Sequence, residues 1–447
     1  MNIDQSIFKA YDIRGTYPET INEEIARAIG IGLVNKYNLK SVAIGRDGRI
    51  SSPVLTSAMT KGIIDAGANV IDLGICTTDM TYFASAFYDD IDCAIMITAS
   101  HNPSQYNGLK AVLKGAVAIT GDDFAQIRDA IINDHLQVSD IKGHVSSRDL
   151  YSDYSIKLLS LIDVSKIKPL KVVIDAGNGV GGFAVEKVFK DLPIEIIPMY
   201  FEINGSFPNH QPSPIEEKNI ADLKKKVVEV GADLGLAFDG DGDRIYFVDE
   251  KGNGVDATII SAMLAKQLLL ENPGSRILYN VNVGWIVPET VEKYGGIASI
   301  TPVGHSLIKA QMRKENGLFA CEHSGHYFFR GLYYADSGIA TSLFALEIIS
   351  ESSQPFSEIL EEFKKYFLSG EINTTVKDQA EKMAQIKAKY ADGEQSELDG
   401  IKVEYPDWKF VVRGSNTEPL LRMCVEAKTK KMMEEKRDEL LAIIREA

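Results

Sequence analysis

Cysteine is scarce in this chain of 447 residues, and the four present (Cys76, Cys93, Cys321 and Cys424) form no Cys-x-x-Cys pair. Three of them lie in apolar, strand-like surroundings, so they read as small buried hydrophobes of a protein kept in a reducing, cytoplasmic setting. Long apolar runs are missing too. None approaches the roughly 18 residues that a membrane span needs, and Met1-Asn2-Ile3-Asp4-Gln5 carries an early acid and no signal-peptide core. Positive charge is in deficit: 48 Lys and Arg stand against 63 Asp and Glu, a net −15. That balance argues against a nucleic-acid or anionic-membrane surface. It leaves room for an anionic small substrate, because a local cluster of Arg and Lys can bind phosphate inside an acidic protein. What remains is ordinary globular composition, 45% hydrophobic and 25% charged. At about 150 residues per domain, the length suggests roughly three domains.

The order of elements points to an α/β fold. Residues 22–36 have helical spacing, with Ile25, Ala28, Ile29 and Leu33 on one face. Ser41-Val42-Ala43-Ile44-Gly45 is a short strand running into Arg46-Asp47-Gly48-Arg49. A helix over 54–66 and a strand over 69–73 precede the apolar run Cys93-Ala94-Ile95-Met96-Ile97, which delivers Thr98-Ala99-Ser100-His101-Asn102-Pro103. A helix over 151–162 opens the next segment, whose strands at 171–174 and 233–238 deliver a Gly-rich stretch (175–182) and Asp239-Gly240-Asp241-Gly242-Asp243-Arg244. A third segment has strands at 276–281, 297–301 and 318–321, the last delivering Glu322-His323-Ser324-Gly325-His326. The strand–loop–helix repetition predicts largely parallel sheets, with ligands expected beyond the carboxyl ends of strands. From residue 372 onward the pattern changes to α+β, after a charged, poorly patterned stretch at 367–371. The expected domains are residues 1–150, 151–253, 254–368 and 369–447.

Each loop has a bland reading beside a functional one. Ser100 alone is an ordinary turn serine. Asp239, Asp241 and Asp243 are spaced so that an extended backbone would project all three carboxylates to one side. Hard oxygen ligands so grouped suit Mg²⁺ or Ca²⁺. A helix-loop-helix calcium site would place Glu250 at its twelfth position. It would also need glycine where Arg244 stands, and helices where these flanks are strands. Arg413-Gly414-Ser415-Asn416-Thr417 can present backbone N–H groups to an anion, with Arg413 and Arg422 adding charge. Ser415 and Glu418 have capping-box spacing, but Leu420 onward reads as strand. Glu322-His323-Ser324-Gly325-His326 mixes groups suited to sugar hydroxyls or a metal. Gly304-His305-Ser306-Leu307-Ile308 lacks the last glycine of a hydrolase nucleophile elbow.

Taken in order, these loops resemble the α-D-phosphohexomutase family, and the match extends to 8–15, 45–49 and Phe207-Pro208-Asn209-His210. The resemblance implies three related α/β domains with mixed, largely parallel sheets plus a C-terminal α+β domain, arranged around a central cleft. It also implies a phosphoserine at Ser100, with Mg²⁺ held by that group and by Asp239, Asp241 and Asp243. Phosphoryl transfer would interconvert hexose 6- and 1-phosphates of mannose or glucose through a hexose 1,6-bisphosphate, which also serves as activator. Tyr11, Arg14, His101, Lys110, His305 and His326 match positions near the reacting groups, with Lys110 and His326 as candidates for proton transfer, and Arg244 and Gly304 would join in binding substrate. Glu322 and Ser324 would hold sugar hydroxyls, and Arg413, Ser415, Asn416, Thr417 and Arg422 the non-reacting phosphate. The implied partner is a sugar phosphate, with no nucleic acid and no membrane, for a monomer or weak homo-oligomer. His323 favours mannose or glucose over glucosamine, the phosphoglucosamine mutase alternative. A sensor that binds without catalysis is a further alternative, but it would be expected to have lost Ser100, an aspartate or Arg413. Two positions depart from the family: Lys9 where arginine is common, and Asn282-Val283-Gly284-Trp285 where a basic residue is expected.

Overall fold

The computed structural model describes residues 1, 3–414 and 420–446. The chain forms two compact units, Met1–Asp256 with Ser324–Ile359, and Ala257–His323 with Leu360–Ala447. The third expected segment is therefore shared between them.

In the first unit, Cys93–Ile97 is the central strand of one sheet, buried at all five positions as its unbroken apolar sequence requires. Ser41–Arg46 lies parallel to it, followed by Asn69–Ile75 and Val145–Ser147, also parallel. On its other side Tyr106–Leu113 runs antiparallel and pairs in turn with Ile13–Thr16. Helix Glu23–Tyr37 starts where the Asn22 side chain accepts from Ile25 N, and ends at Asn38 in the left-handed conformation. Its buried face includes Ile25, Ala28, Ile29 and Leu33, and it packs on helix Ser52–Asp65. In a second sheet Leu170–Asp175 lies between Ile194–Met199 and the central strand Leu234–Phe238, parallel to both. Leu234–Phe238 then turns back antiparallel as Ile245–Asp249. The unit also holds the hairpin Tyr327–Phe329 with Ala335–Asp336 and the helix Gly338–Glu351.

In the second unit, Arg276–Asn280 lies between the parallel strands Ile297–Thr301 and Phe319–Cys321, among helices Ala257–Glu271, Ile286–Lys293 and His305–Glu315. The C-terminal sheet is antiparallel. Leu420–Ala427 pairs with Trp408–Gly414, which pairs with Ile401–Glu404. Helices Gln379–Lys389 and Lys430–Arg445 contribute Ile386, Leu440 and Ile444 to a core shared with Phe410, Val412 and Met423. The stretch at 367–371 is ordered better than its sequence suggests: Phe367–Leu368 forms a short strand on Leu420–Ala427. Cys76, Cys93 and Cys321 are buried, Cys424 is half-buried, and all four stand outside disulfides. No helix among the described residues is long and apolar enough to cross a membrane.

Candidate active site

Ser100 follows the central strand in a turn that returns as another strand, Tyr106–Leu113, not as a helix. Its φ is +51°, a left-handed conformation that costs a residue with a side chain on the order of 1 kcal/mol. The surroundings hold it there. Ser100 N donates to Thr98 Oγ1 at 2.8 Å, and that hydroxyl donates to Asp47 Oδ2 at 2.8 Å. Arg49, fully buried, forks into the loop. Its Nη2 donates to the Ser100 and Asn102 carbonyls at 2.7 Å each, and its Nη1 to those of Pro103 (2.7 Å) and Tyr106 (3.0 Å). Nε closes on Asp47 Oδ2 at 3.0 Å. All five N–H groups of the guanidinium are thus used.

Asp239, Asp241 and Asp243 occupy the connection between Leu234–Phe238 and Ile245–Asp249. The backbone is not extended there, as the spacing alone suggests. Gly242, at φ +73°, donates its N–H to Asp239 O at 3.1 Å. This turn, rather than a pleat, brings carboxylate oxygens of the three aspartates within 4.8 Å of one another. The two loops meet backbone to backbone: a Cβ on Gly240 would lie 2.7 Å from Ser100 O, so only glycine fits. Ser100 Oγ then donates to Asp239 Oδ2 at 2.8 Å. Lys110 Nζ, from the returning strand, lies 2.8 Å from Asp241 Oδ2 and also bonds Asp243.

Electrostatics follow from this crowding. Burial, then repulsion by Asp241 and Asp243, pushes the Asp239 carboxyl well above its usual range. Burial opposes charge on Lys110, but Asp241, Asp243 and Asp239 outweigh it and hold the ammonium above the ordinary lysine value. Burial likewise opposes ionisation of Asp243, yet the Lys110 ammonium holds it well below the carboxylate range. The donor set fits a hard cation, with three carboxylates and a serine hydroxyl converging, and Asp241 Oδ1 is buried without a hydrogen-bond partner.

The other expected residues of this unit surround the pair of loops. Arg14 donates to Asn102 Oδ1 at 2.5 Å and to Asp12 at 2.7 Å. His101 Nδ1 lies 3.5 Å from Ser100 Oγ, and burial with the cations Arg244, Arg14 and Lys110 holds its imidazole well below the usual value, hence neutral. Arg244 Nε donates to His326 Nε2 at 3.2 Å, and that nitrogen is 3.3 Å from Asp243 Oδ1. His326 Nδ1 meets Ser324 Oγ at 3.1 Å. Tyr11 is half-buried in the loop before Ile13–Thr16.

In the second unit, Glu322 is buried at the end of Phe319–Cys321, and its Oε1 accepts from Asn280 Nδ2 (3.1 Å) and Gly304 N (3.2 Å). His305 opens the helix His305–Glu315 directly after Gly304. Arg413 and Arg422 face each other across adjacent strands, and Glu371 serves both: Oε1 is 3.2 Å from Arg422 Nη1, and Oε2 is 3.8 Å from Arg413 Nη2. His323 Nε2 also reaches Glu371, at 3.2 Å. Ser415, Asn416 and Thr417 lie outside the described residues.

Four models of the phosphoglucomutase/phosphomannomutase type match in order: α/β/α domain I at residues 5–137, domain II at 149–253, domain III at 256–366 and the C-terminal domain at 371–443. The chain belongs to this family. It is 39% identical over 428 residues to a protein named phosphohexose mutases from Xanthomonas campestris, covering 94% of this chain and 95% of the relative. A phosphomannomutase/phosphoglucomutase of Pseudomonas putida is 37% identical over 438 residues, covering 95% and 92%. Among solved structures, a phosphoglucomutase/phosphomannomutase family protein from Burkholderia thailandensis superposes with a TM-score of 0.91 at 34% identity, covering 99% of this chain and 98% of that one. The four-domain α/β architecture, with mixed sheets and a distinct C-terminal domain, is that of the family.

Several residues of this phosphoglucomutase/phosphomannomutase relative stand out only in three dimensions. Asp47 and Arg49 brace the serine turn, a role the matched stretch 45–49 does not by itself reveal. Glu371 sits in the stretch that seemed poorly patterned. The loop at 282–285 is tied down by the C-terminal sheet. Lys409 Nζ donates to Val283 O at 3.0 Å and pairs with Glu426 at 3.0 Å, while Trp285 N donates to Glu426 at 3.0 Å. Trp285 Nε1 donates to Glu404 at 2.5 Å, and Lys409 Nζ lies 5.4 Å from the indole.

Proposed function

We propose that this chain is a Mg²⁺-dependent mutase, an isomerase that interconverts hexose 6-phosphate and hexose 1-phosphate of mannose and/or glucose. It would work through a phosphoserine at Ser100 and a hexose 1,6-bisphosphate, which also primes the enzyme when Ser100 is bare. The observation that carries this reading is the contact of Ser100 Oγ with Asp239, inside a buried cluster of three converging carboxylates. A serine that donates into such a carboxylate cluster suits carriage of phosphate. Phosphoryl transfer needs in-line placement and charge neutralisation more than covalent activation.

Asp239, Asp241 and Asp243 would hold the cation, which supplies neutralisation of the charge spread over the transferring phosphoryl oxygens. In the forward step the P–O bond to Ser100 breaks as a P–O bond forms to a sugar hydroxyl, and the hydroxyl proton passes to a neighbouring base. His326 is the candidate acceptor, and His101 lies beside the serine. Lys110, held charged, would serve as donor and as counter-charge. Arg14 and Arg244 would neutralise phosphate oxygens near the serine. Glu322 and Ser324 would hold sugar hydroxyls, and Arg413 and Arg422, with 415–417, the non-reacting phosphate. Four cysteines outside disulfides fit a reducing, cytoplasmic setting, where the enzyme would act as a monomer or weak oligomer.

Intact-mass measurement should find one phosphate on the wild-type chain and none on Ser100→Ala, and that variant should lose essentially all turnover. Normal turnover by Ser100→Ala would overturn the reading. Specificity constants for mannose, glucose and glucosamine 1-phosphates, with bisphosphate present, would fix the sugar.

A further inference from the structure

We propose that Thr78 is a positioning residue for the metal site, aiming the Asp241 carboxylate so that one oxygen is presented to the cation. The proposal rests on the metal reading above. Thr78 is fully buried at the start of helix Thr78–Phe87 and lies outside every stretch that carries the family resemblance. It grips Asp241 twice: Oγ1 donates to Oδ2 at 2.6 Å, and its backbone N–H donates to Asp241 O at 3.0 Å. Oδ2 also accepts from Lys110 at 2.8 Å, whereas Oδ1 is buried without a partner. A carboxylate otherwise free to rotate about Cβ–Cγ is thereby fixed with Oδ2 occupied and Oδ1 available.

The grip is itself anchored. Asp79, the next residue, is fully buried and accepts from Tyr154 Oη at 2.5 Å and from the hydroxyls of Thr77 and Ser337. Thr81 Oγ1 donates to Thr78 O at 2.6 Å. The start of this helix therefore has no freedom to follow a wandering carboxylate. Outer-shell groups that orient a ligating carboxylate have measurable effects: losing one typically weakens metal binding by roughly 10- to 100-fold.

Calorimetric titration of the full chain with Mg²⁺ alone, at a phosphorylation state matched by intact mass, tests this. Thr78→Val keeps the shape and removes the hydroxyl. Its Mg²⁺ dissociation constant should rise roughly 10- to 100-fold, and Thr78→Ser should restore it to near the wild-type value. Thr341→Val, which removes another buried helical hydroxyl whose bond is 2.6 Å, should leave Mg²⁺ affinity unchanged and so controls for general loosening. Equal Mg²⁺ affinity of wild type and Thr78→Val overturns the proposal. If Thr78→Val does not fold, a Thr78→Ser variant that has lost the affinity overturns it equally. A wild-type chain that binds no Mg²⁺ overturns the metal reading itself, a distinct failure visible before any variant is made.

Discussion

Replacing Arg49 by lysine tests whether the serine turn is held by one guanidinium. Lysine keeps the positive charge opposite Asp47 but offers three N–H groups where five acceptors now wait. At least two buried carbonyls or carboxylate oxygens then lose their donor, at about 1–3 kcal/mol each. Even the low end, about 2 kcal/mol, corresponds to roughly thirty-fold more frequent local opening, since about 1.4 kcal/mol is a factor of ten. Hydrogen exchange over residues 98–108 should report this directly. The Thr98 N–H to Gly108 O and Asn102 N–H to Ala99 O bonds, both within the turn, supply the protected amides. Turnover should fall on the order of a hundredfold, the cost of a displacement of about 1 Å at a reacting group, with little change in KM. Arg148→Lys provides the comparison. Arg148 also forms a two-pronged pair, with Asp90 at 2.9 and 2.7 Å, but at the surface, where such pairs contribute about 0.2–1 kcal/mol. Wild-type exchange and turnover in Arg49→Lys would refute the reasoning.

Two further outcomes follow from buried or half-buried ion pairs. Burial disfavours charge on His210, but the Asp175 carboxylate at 3.0 Å holds its imidazole above the ordinary value. The pair therefore contributes stability that is full below about pH 6.5 and is lost as pH rises through the raised folded value. His210→Gln should be destabilised against wild type at pH 6 and converge with it at pH 9 in thermal melts; curves separated equally at both values would rule this out. Glu426→Ala strands the buried Lys409 ammonium and the Trp285 N–H, and should cost about 3–5 kcal/mol in denaturant titrations. The double replacement Lys409→Met with Glu426→Leu should cost less than that single change, and a larger loss would show that the charges themselves matter.

What was legible in the sequence depended on distance along the chain. The run Cys93-Ala94-Ile95-Met96-Ile97 announces a strand buried on both faces because every residue in it is apolar. The aspartates announce a cluster because their spacing is local, although the backbone that gathers them is a turn and not the extended segment their spacing suggests. Arg49 and Thr78 could not be read this way. Arg49 serves carbonyls more than fifty residues onward, and Thr78 reaches a carboxylate 163 residues away. Backbone carbonyls carry no side-chain signature, so a residue whose task is to satisfy them looks like any polar residue after a strand. Glu371 was hidden for the opposite reason: its neighbours lack periodicity because the strand they form spans only Phe367–Leu368.

Ser100, the three aspartates and Lys110 all belong to one compact unit, while Glu322, Arg413 and Arg422 belong to the other. On the proposed roles, the serine and its carboxylates are encoded in the first unit and the grip on the non-reacting phosphate in the second, while the two groups for sugar hydroxyls are divided, Ser324 in the first and Glu322 in the second. Substitutions confined to 257–323 and 360–447 could retune which hexose is accepted while leaving every contact between Ser100 and the carboxylates intact. Variation beside Ser100 has no such licence, because Gly240 there admits no side chain. A library built to change sugar preference therefore takes in Ser324 as well as the second unit.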